Sequence, residues 1–463
     1  MSLCALVSWW FVSDTLSENW MEPMIDDAQR LRDEIFAKVA KFYKIAHRPQ
    51  PFVPGETRVH YAGRVYDERD LIAMTDAVLD FWLTLGRHAD EFERKLSEFL
   101  GVSEVVLVNS GSSANLVAVT ALCSPELENP LRPGDEVITP AVTFPTTVAP
   151  LVQNKLIPVF VDCDLGTYNM NLAATEAAIS ERTRAILVLH NLGNPCDMDV
   201  ILRLAEEHHL YIIEDTCDAL GSRFRGRPVG SFGHLGTLSF YPAHHITTGE
   251  GGAVVTSDKR LARIARSIRD WGRACWCTHK TTGPNGACGR RFEYQIPGMP
   301  GTYDHKYIYS HIGYNLQPTD IQAALGAAQM DKLPEFIAAR QRNFRRLFEG
   351  LARYQEFLIL PQWDSRADVS WFALPITVRD NPRFTRNDLT RWLEQANIET
   401  RLLFAGNILK QPGYVNIPHR VAGELINSNL VMRGSFFIGV YPGLDDERID
   451  YILETFDAFF AQC

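Results

Sequence analysis

Short apolar runs alternate with helical patterns between residues 100 and 256, and this alternation constrains the fold more than any other feature. Each run has the length and the β-branched content of a buried strand. Strands that alternate with helices predict a mainly parallel sheet covered by helices on both faces. The predicted strands are VVLV (105–108), DEVIT (135–139), IPVFVD (157–162), AILVLH (185–190), YIIED (211–215), TLSFY (237–241) and AVVTS (253–257).

The C-terminal part of the chain has the pattern of a second, smaller α/β domain. A long helical stretch begins near Thr319 and is interrupted only by Pro334. Beyond it, WFALPITV (371–378) and ETRLLF (399–404) are predicted strands separated by a helical pattern. We therefore expect an N-terminal extension and helix (1–64), a large cofactor-binding domain (65–335) with an inserted glycine- and proline-rich loop (279–305), and a small domain (336–463).

The composition argues against several classes of protein. The formal net charge is -10 and there is no basic block, so phosphate neutralisation by a nucleic-acid-binding surface is not expected. The apolar start of the chain is too short to span a bilayer and lacks the charged flank of a signal peptide. We expect a soluble, cytoplasmic protein with neither nucleic acid nor membrane as a partner, in which nine cysteines do not form a disulfide framework.

Two motifs lie where predicted strands end. In NSGSSANL (109–116) a turn of small residues leads into a helix, and such a turn exposes amide groups to an anion, although it is equally typical of an ordinary helix cap. EDTCDALG (214–221) places Glu214, Asp215 and Asp218 at a strand end, where open α/β sheets bind ligands. For either motif alone, a purely structural role remains open.

Five motifs in the same order resemble the DegT/DnrJ-type nucleotide-sugar aminotransferase family, from residue 65 to the C-terminus. They are NSGSSANL, PAVTFPTT (140–147), EDTCDALG, SFYPAHH (239–245) and HIGYNLQPTDIQAALGAAQ (311–329). The resemblance implies the aspartate-aminotransferase-like fold (PLP fold type I), an α/β fold with a large domain containing a mainly parallel sheet and a smaller C-terminal α/β domain.

The resemblance also implies how a pyridoxal-type cofactor would be held. Gly111, Ser112 and Ser113 would form the turn that binds the cofactor phosphate, with Ser239 as a further ligand. Phe144 would stack on the pyridine ring, and Asp215 would pair with the ring nitrogen and keep the ring an electron sink. Asn315 would reach the cofactor phosphate of the neighbouring subunit, which implies a homodimer.

Five residues after Ser239, where this family carries its Schiff-base lysine, the chain has His244. Without that amine the protein cannot hold pyridoxal phosphate covalently, but a histidine can move protons near neutral pH. The position therefore suits pyridoxamine 5'-phosphate (PMP) as a non-covalent coenzyme, and the alternative is a packed or decayed site. The family implies that Asp218 and Tyr241 bear on proton or electron transfer, and we expect His245 to be structural.

Cysteine spacing is a second departure from the aminotransferase pattern. Cys217, Cys275, Cys277 and Cys288 are spaced C-x57-C-x-C-x10-C. Four thiolates can hold a 2Fe–2S cluster, and they suit zinc equally well. A further resemblance, to the iron–sulfur 3-dehydrases of 3,6-dideoxyhexose and deoxysugar pathways, implies the cluster, with Cys288 as the least secure ligand because its gap is longer.

The second resemblance implies a reaction: PMP-dependent removal of the C3 hydroxyl from a nucleotide-linked 4-keto-6-deoxyhexose. The expected substrate is CDP-4-keto-6-deoxy-D-glucose, on an O-antigen route, and a separate NAD(P)H-dependent flavin iron–sulfur reductase is the expected electron donor. Arg401 is a candidate ligand for the substrate phosphates, or else a surface arginine. Four alternatives stay open: a dTDP-sugar 3-dehydrase, a cluster-free dehydratase, a nucleotide-sugar aminotransferase that uses Lys259 or Lys306, and a non-catalytic redox or regulatory protein.

Overall fold

The computed structural model describes residues 18–48, 50–275 and 289–462. The α-helices in these residues are α1 (Glu18–Ala46), α2 (Glu68–Asp80), α3 (Arg87–Leu100), α4 (Gly111–Leu122), α5 (Pro145–Gln153), α6 (Leu172–Ala177), α7 (Met198–His208), α8 (Lys259–Arg269), α9 (Asp320–Met330), α10 (Leu333–Leu351), α11 (Arg386–Gln395), α12 (Ile426–Gly434) and α13 (Asp446–Phe460).

The strands begin and end as follows. They are β1 (Glu104–Val108), β2 (Glu136–Pro140), β3 (Ile157–Val161), β4 (Thr183–Leu189), β5 (Tyr211–Asp215), β6 (Arg223–Phe224), β7 (Arg227–Pro228), β8 (Leu235–Ser239), β9 (Gly252–Thr256), β10 (Leu358–Ile359), β11 (Ala367–Asp368), β12 (Ala373–Val378), β13 (Arg401–Leu402), β14 (Arg420–Val421) and β15 (Ser435–Gly439). The seven predicted strands between residues 100 and 256 are β1 to β5, β8 and β9, each within two residues of the predicted bounds.

The main sheet has eight strands in the order β1-β9-β8-β5-β4-β2-β3-β14. Only β9 runs against the others, because it pairs antiparallel with both β1 and β8, while the neighbours from β8 to β14 are parallel. The prediction of a mainly parallel sheet is confirmed. Since the carboxyl ends of parallel strands meet at one edge, the residues that follow β5 and β8 lie side by side.

Both faces of this sheet are buried, as alternate side chains show. In β4, Ala185 and Leu187 pack with α4 and α8 on one face, whereas Ile186 and Val188 pack with α7 on the other. Successive residues of a strand point to opposite faces, so covering both faces requires an apolar residue at nearly every position. This explains why the strands read as continuous apolar runs in the sequence.

The C-terminal part has its own antiparallel sheet, β10-β12-β15-β13, whose core includes side chains from α10, α11 and α13. The long helical stretch is two helices, because α9 ends at Met330 and α10 begins at Leu333 with Pro334 in its first turn. Proline lacks an N–H and is tolerated there. The proposed division at residues 64 and 335 stays a prediction. Among the described helices, none is long and apolar enough to cross a membrane.

Candidate active site

A cavity of about 410 Å³ lies at the carboxyl ends of β5 and β8 and at the start of α4. It contacts most of the residues predicted for cofactor binding and catalysis. The predicted residues that line it are Gly111, Ser112, Phe144, Asp215, Cys217, Asp218, Ser239, Tyr241, His244 and Arg401, whereas Ser113 is not part of the lining. No lysine is present among the described residues of its lining, so a side-chain amine for a Schiff base is missing from this part of the chain.

The turn before α4 is shaped to receive an anion. Ser110 caps the helix, and its Oγ accepts a hydrogen bond from the Ser113 amide at 3.0 Å. A Cβ on Gly111 would lie 2.5 Å from Ser239 Cβ and 3.0 Å from Cys217 Sγ, so only glycine allows this approach. Gly252 is equally restricted, since its Cβ would lie 2.4 Å from the Ser110 carbonyl oxygen. The positive end of the α4 dipole therefore opens directly onto the cavity.

Asp215 ends β5 and is buried among neutral donors. Its Oδ2 accepts hydrogen bonds from Asn115 Nδ2 and Thr147 Oγ1, each at 2.8 Å, and its Oδ1 accepts one from the Cys217 amide at 3.2 Å. Within the described residues no cationic side chain pairs with this carboxylate. A buried carboxylate without a cation suits a cationic ligand group such as a protonated ring nitrogen.

Glu214, the neighbouring residue, points to the other face of the sheet and is fully satisfied there. It accepts hydrogen bonds from His190 Nε2 at 3.1 Å and from the Gly230 and Gly233 amides. The Nδ1 atom of His190 accepts a hydrogen bond from the Cys196 amide at 3.0 Å. Of the three carboxylates predicted at this strand end, Glu214 thus belongs to the structural core, and Asp215 and Asp218 face the cavity.

His244 and Asp218 form a loosely matched buried pair. His244 Nδ1 lies 3.4 Å from Asp218 Oδ1, but the atoms are not aligned for a hydrogen bond, and Nδ1 has no other partner. Burial, and secondly the charge of Arg340, lower the pKa of His244 to about 3. Burial and the nearby Asp215 charge raise the pKa of Asp218 to about 8. Both shifts favour the uncharged form of each group, and an uncharged imidazole can accept a proton.

Two aromatic side chains face the cavity without being covered. Phe144 is 47% exposed and Tyr241 is 50% exposed. Phe144 contacts Phe404 edge to face at a centroid distance of 6.0 Å. Large exposed aromatic rings beside a cleft are typical of surfaces that pack against a ligand.

His245 does not reach the cavity. It is buried, and its Nε2 donates to the Ser370 carbonyl oxygen at 2.9 Å. Burial lowers the pKa of His245 well below its usual value. These contacts agree with a structural role for the second histidine of the pair.

Two other predicted residues lie elsewhere. Cys275 lines a neighbouring cavity of about 390 Å³ together with the arginines of α8. Asn315 is exposed, and its backbone forms a bridge with Asp270. Neither residue lines the cavity around Asp215.

The candidate cluster ligands are only partly described. Cys217 and Cys275 are free thiols, whereas Cys277, Cys288 and the first part of the predicted loop 279–305 fall outside the described residues. Among the residues that the structure does describe, no three potential metal ligands form a group.

The sequence analysis gave no role to several residues of the site. Asn115 and Thr147 fall inside quoted motifs, but their hydrogen bonds to Asp215 join segments 100 and 68 residues apart. Phe372 packs against His244 with ring centroids 5.3 Å apart. Arg340, on α10, is buried beneath His244. An apolar helical pattern gives no reason to expect an arginine at such a place.

Known proteins resemble this chain over most of its length. Residues 65–457 match the DegT/DnrJ/EryC1/StrS aminotransferase family. The chain is 50% identical to the lipopolysaccharide biosynthesis protein RfbH of Salmonella typhimurium, over 94% of this chain and 99% of that protein. It is 49% identical to dTDP-4-dehydro-2,6-dideoxy-D-glucose 3-dehydratase of Saccharopolyspora spinosa, over 95% and 94%.

A solved structure gives the same fold. Escherichia coli GDP-4-keto-6-deoxy-D-mannose-3-dehydratase with bound hydrated PLP matches with a TM-score of 0.77 and 28% identity, over 86% of this chain and 98% of that one. The expected PLP fold type I is therefore confirmed. The family match, over residues 65–457, includes the strands of both the main sheet and the C-terminal sheet.

Proposed function

The chain belongs to the DegT/DnrJ/EryC1/StrS aminotransferase family, and from that premise we propose that it is a PMP-dependent nucleotide-sugar 3-dehydrase. The observation that carries the proposal is His244, which lines a cavity containing Asp215 and a phosphate-type turn but no lysine among its described residues. Relatives named as 3-dehydratases support the reaction class. The substrate is a nucleotide-linked 4-keto-6-deoxyhexose, which loses its C3 hydroxyl.

The residues of the cavity fit PMP without a covalent bond. When bound, PMP supplies a primary amine for the C4 ketone of the sugar and a ring that withdraws electrons. The α4 N-terminus, with Ser112 and Ser239, would bind its phosphate, and Ser113 shapes the turn through its amide. Phe144 would pack against the ring. Asp215, held by Asn115 and Thr147, would accept a hydrogen bond from the protonated ring nitrogen.

His244 is the proton carrier of the site. Its imidazole is uncharged and buried, so it can take a proton and return one to the departing C3 hydroxyl, which leaves as water. Asp218 Oδ1 lies 3.4 Å from His244 Nδ1, and we expect Asp218 to take part in proton transfer with the imidazole. Tyr241 is half exposed at the cavity wall and is placed to contact the sugar. The test is His244→Gln, which removes the base and keeps a side chain of similar size.

Four cysteines would hold the cluster that relays the electrons needed to complete a deoxygenation. Removing the hydroxyl and restoring the coenzyme with a saturated C3 requires two electrons, which a 2Fe–2S cluster on Cys217, Cys275, Cys277 and Cys288 would pass one at a time. In support, Cys217 Sγ lies beside the turn at Gly111, and both described thiols are free. A separate NAD(P)H-dependent flavin iron–sulfur reductase supplies these electrons.

Iron analysis tests the cluster independently of turnover. Protein purified without air is expected to contain about two irons and two sulfides per chain, with an EPR signal after dithionite reduction that Cys217→Ser abolishes. Cys123→Ser is the matched control, because Cys123 is equally half-buried and free. Zinc in place of iron, or the absence of both metals, contradicts the cluster and leaves the cluster-free dehydratase, whereas full iron content in Cys217→Ser contradicts Cys217 as a ligand.

Asn315 supports a homodimer. It is exposed and does not line the cavity of its own chain, while Ile312 nearby is 96% exposed and Tyr314 is 36% exposed. A second chain that covers these apolar side chains would bring Asn315 to the other cofactor phosphate. Light scattering at twice the mass of the 463-residue chain is the expected result, and a monomer with full activity contradicts it.

The nucleotide is proposed to be CDP, with dTDP as the alternative. The relatives do not decide between them: the name of the 50% identical lipopolysaccharide protein gives no nucleotide, and the 49% identical relative is named as a dTDP-sugar enzyme. Parallel turnover of the CDP- and dTDP-linked 4-keto sugars decides between them, with the CDP substrate expected to give the higher kcat/KM. Location in the cytoplasm stays a prediction.

A further inference from the structure

Arg340 is a buried cation at the centre of α10, only 2% exposed. Its guanidinium donates to three backbone carbonyls: Nη1 to Trp371 at 3.2 Å and Phe372 at 3.0 Å, and Nη2 to His244 at 3.0 Å. Its Nε has no partner. Within the described residues no carboxylate lies within ion-pair distance of this guanidinium.

A buried charge paired only with carbonyl groups is costly. Removing a guanidinium from water costs several kcal/mol, and neutral acceptors return only part of that. Burial lowers the pKa of Arg340 to about 9, although the field of Asp218 opposes this. The side chain is still charged at neutral pH. An apolar side chain at this position of α10 would fill the core without the free-energy cost of burying a charge. Packing alone therefore does not explain the presence of an arginine.

The three carbonyls belong either to His244 itself or to Trp371 and Phe372, the segment that carries the packing partner of its imidazole. One is the carbonyl of His244 itself, so the guanidinium fixes the backbone that carries the ring. Another belongs to Phe372, whose ring packs against the imidazole with centroids 5.3 Å apart. The planar guanidinium of Arg340 therefore holds both the backbone of His244 and the backbone of Phe372, against whose ring the imidazole packs.

We infer that Arg340 is a positioning residue for His244: its guanidinium holds the His244 and Phe372 peptides so that the imidazole keeps its reacting orientation. The inference rests on the proposed role of His244 as proton carrier. Arg340 itself lies behind the ring and does not line the cavity that would hold substrate. Its contribution should therefore appear in the chemical step rather than in substrate binding.

The charge has a second consequence, for the protonation of the base. After burial, the Arg340 charge is the remaining cause that lowers the pKa of His244. The ionisable groups around the imidazole are Arg340 from α10, Asp218 from the turn after β5, and the adjacent His245. Removing the guanidinium removes a repelling cation, so the imidazole would be protonated, and lost as a base, at a higher pH than in the wild type.

The test compares Arg340→Met, Arg340→Lys and the control Arg342→Met, which changes an exposed arginine on the same helix. The holoenzyme of each is assayed with the CDP-linked 4-keto sugar. In Arg340→Met we expect kcat to fall about 100-fold while KM changes little, because a misplaced base impairs chemistry and not binding. The acid limb of its kcat/KM profile moves to higher pH. Arg342→Met matches the wild type.

Arg340→Lys separates charge from geometry. Lysine keeps the cation but not the planar fork, so the acid limb should stay near the wild-type position while kcat recovers only in part. Crystal structures of these variants add a readout that does not need turnover. In Arg340→Met the distance from His244 Nδ1 to Asp218 Oδ1 should differ from the present 3.4 Å, with the imidazole rotated away from Phe372.

The outcomes distinguish this inference from the proposed function. If Arg340→Met loses no more kcat than Arg342→Met, or its imidazole keeps the wild-type orientation, the inference is overturned. If the wild type itself does not act on the keto sugar, the proposed function fails, and the crystal structures still decide whether Arg340 positions the ring. Should Arg340→Met fail to fold, Arg340→Gln, which keeps a donor without the charge, is measured in its place under the same criteria.

Discussion

Two buried histidine–carboxylate pairs lie near the end of β5, and they are built differently. His190 and Glu214 satisfy each other at 3.1 Å, and backbone amides occupy their remaining positions. His244 and Asp218 approach only to 3.4 Å, and Nδ1 of His244 is left without a hydrogen bond. In the first pair, the hydrogen-bonding atoms of both side chains have partners within the fold. In the second pair, Nδ1 of His244 has no hydrogen-bond partner, and a site that exchanges protons requires such an available atom.

The largest expected effect comes from a substitution in the loosely matched pair, His244 and Asp218. His244→Gln should lower kcat by about 10²- to 10⁴-fold, because proton transfer by a positioned side chain contributes that much. The midpoint of thermal unfolding should change little, since Nδ1 makes no hydrogen bond that would be lost. The measurement is steady-state kinetics beside a melting curve. A His244→Gln protein with near-wild-type kcat would remove His244 from the mechanism.

The complementary change breaks the satisfied pair. His190→Gln should lower the free energy of unfolding by about 3 kcal/mol, because it disrupts a buried partner of Glu214 and also the acceptor of the Cys196 amide. Protein that remains folded should keep its turnover. Urea denaturation and an active-site titration give the two numbers. Loss of turnover in fully folded His190→Gln would show that the two pairs are not functionally separate.

A third substitution, Asp215→Asn, tests the proposed contact between the buried carboxylate and the coenzyme ring. Asp215→Asn keeps the hydrogen-bonding shape of the buried carboxylate but removes the charge that would hold a protonated ring nitrogen. We expect PMP to bind at least 10-fold more weakly, a loss of about 1.4 kcal/mol. Equilibrium dialysis of PMP measures it, with Glu214→Gln as the control on the opposite face. Equal PMP affinity in Asp215→Asn and wild type would contradict this role.

The smallest effect concerns an ion cluster far from the cavity. Burial raises the pKa of Asp67, but hydrogen bonds from Arg69 and Lys332 outweigh it and lower the pKa to about 2. A lowered pKa means that the stabilisation is present above pH 3.8, the usual value, and is lost as pH falls towards 2. Asp67→Asn should therefore be less stable than wild type at neutral pH, and the gap should close between pH 4 and pH 2. A gap that does not depend on pH would exclude this origin.

The sequence predicted the strands of the main sheet because apolar runs covered on both faces are distinctive. The end of one of these strands was also recognisable as a ligand-binding position, at EDTCDALG. The resemblance to the aminotransferase family then identified His244 as standing where that family carries a lysine, by its spacing from Ser239. These features are local, and each depends on a short run of residues.

Contacts between distant segments were not predictable in this way. The sequence showed that Pro334 interrupts the long helical stretch, but not that α9 ends at Met330 and that α10 begins at Leu333 with the proline in its first turn. Arg340 lies 96 residues from His244, and nothing near it in the sequence indicates a buried site. Glu214 and Asp215 were both candidates. Adjacent residues of a strand point to opposite faces of the sheet, and only the structure shows that Glu214 points into the core and Asp215 into the cavity.

The central claim is that a histidine site without a Schiff-base lysine removes a sugar hydroxyl. It is tested most directly by mass spectrometry of the nucleotide sugar after incubation with PMP, the keto substrate and a reducing partner. The account predicts a product that has lost the C3 oxygen with wild-type protein and unchanged substrate with His244→Gln. An amino sugar, or equal conversion by both proteins, would contradict it.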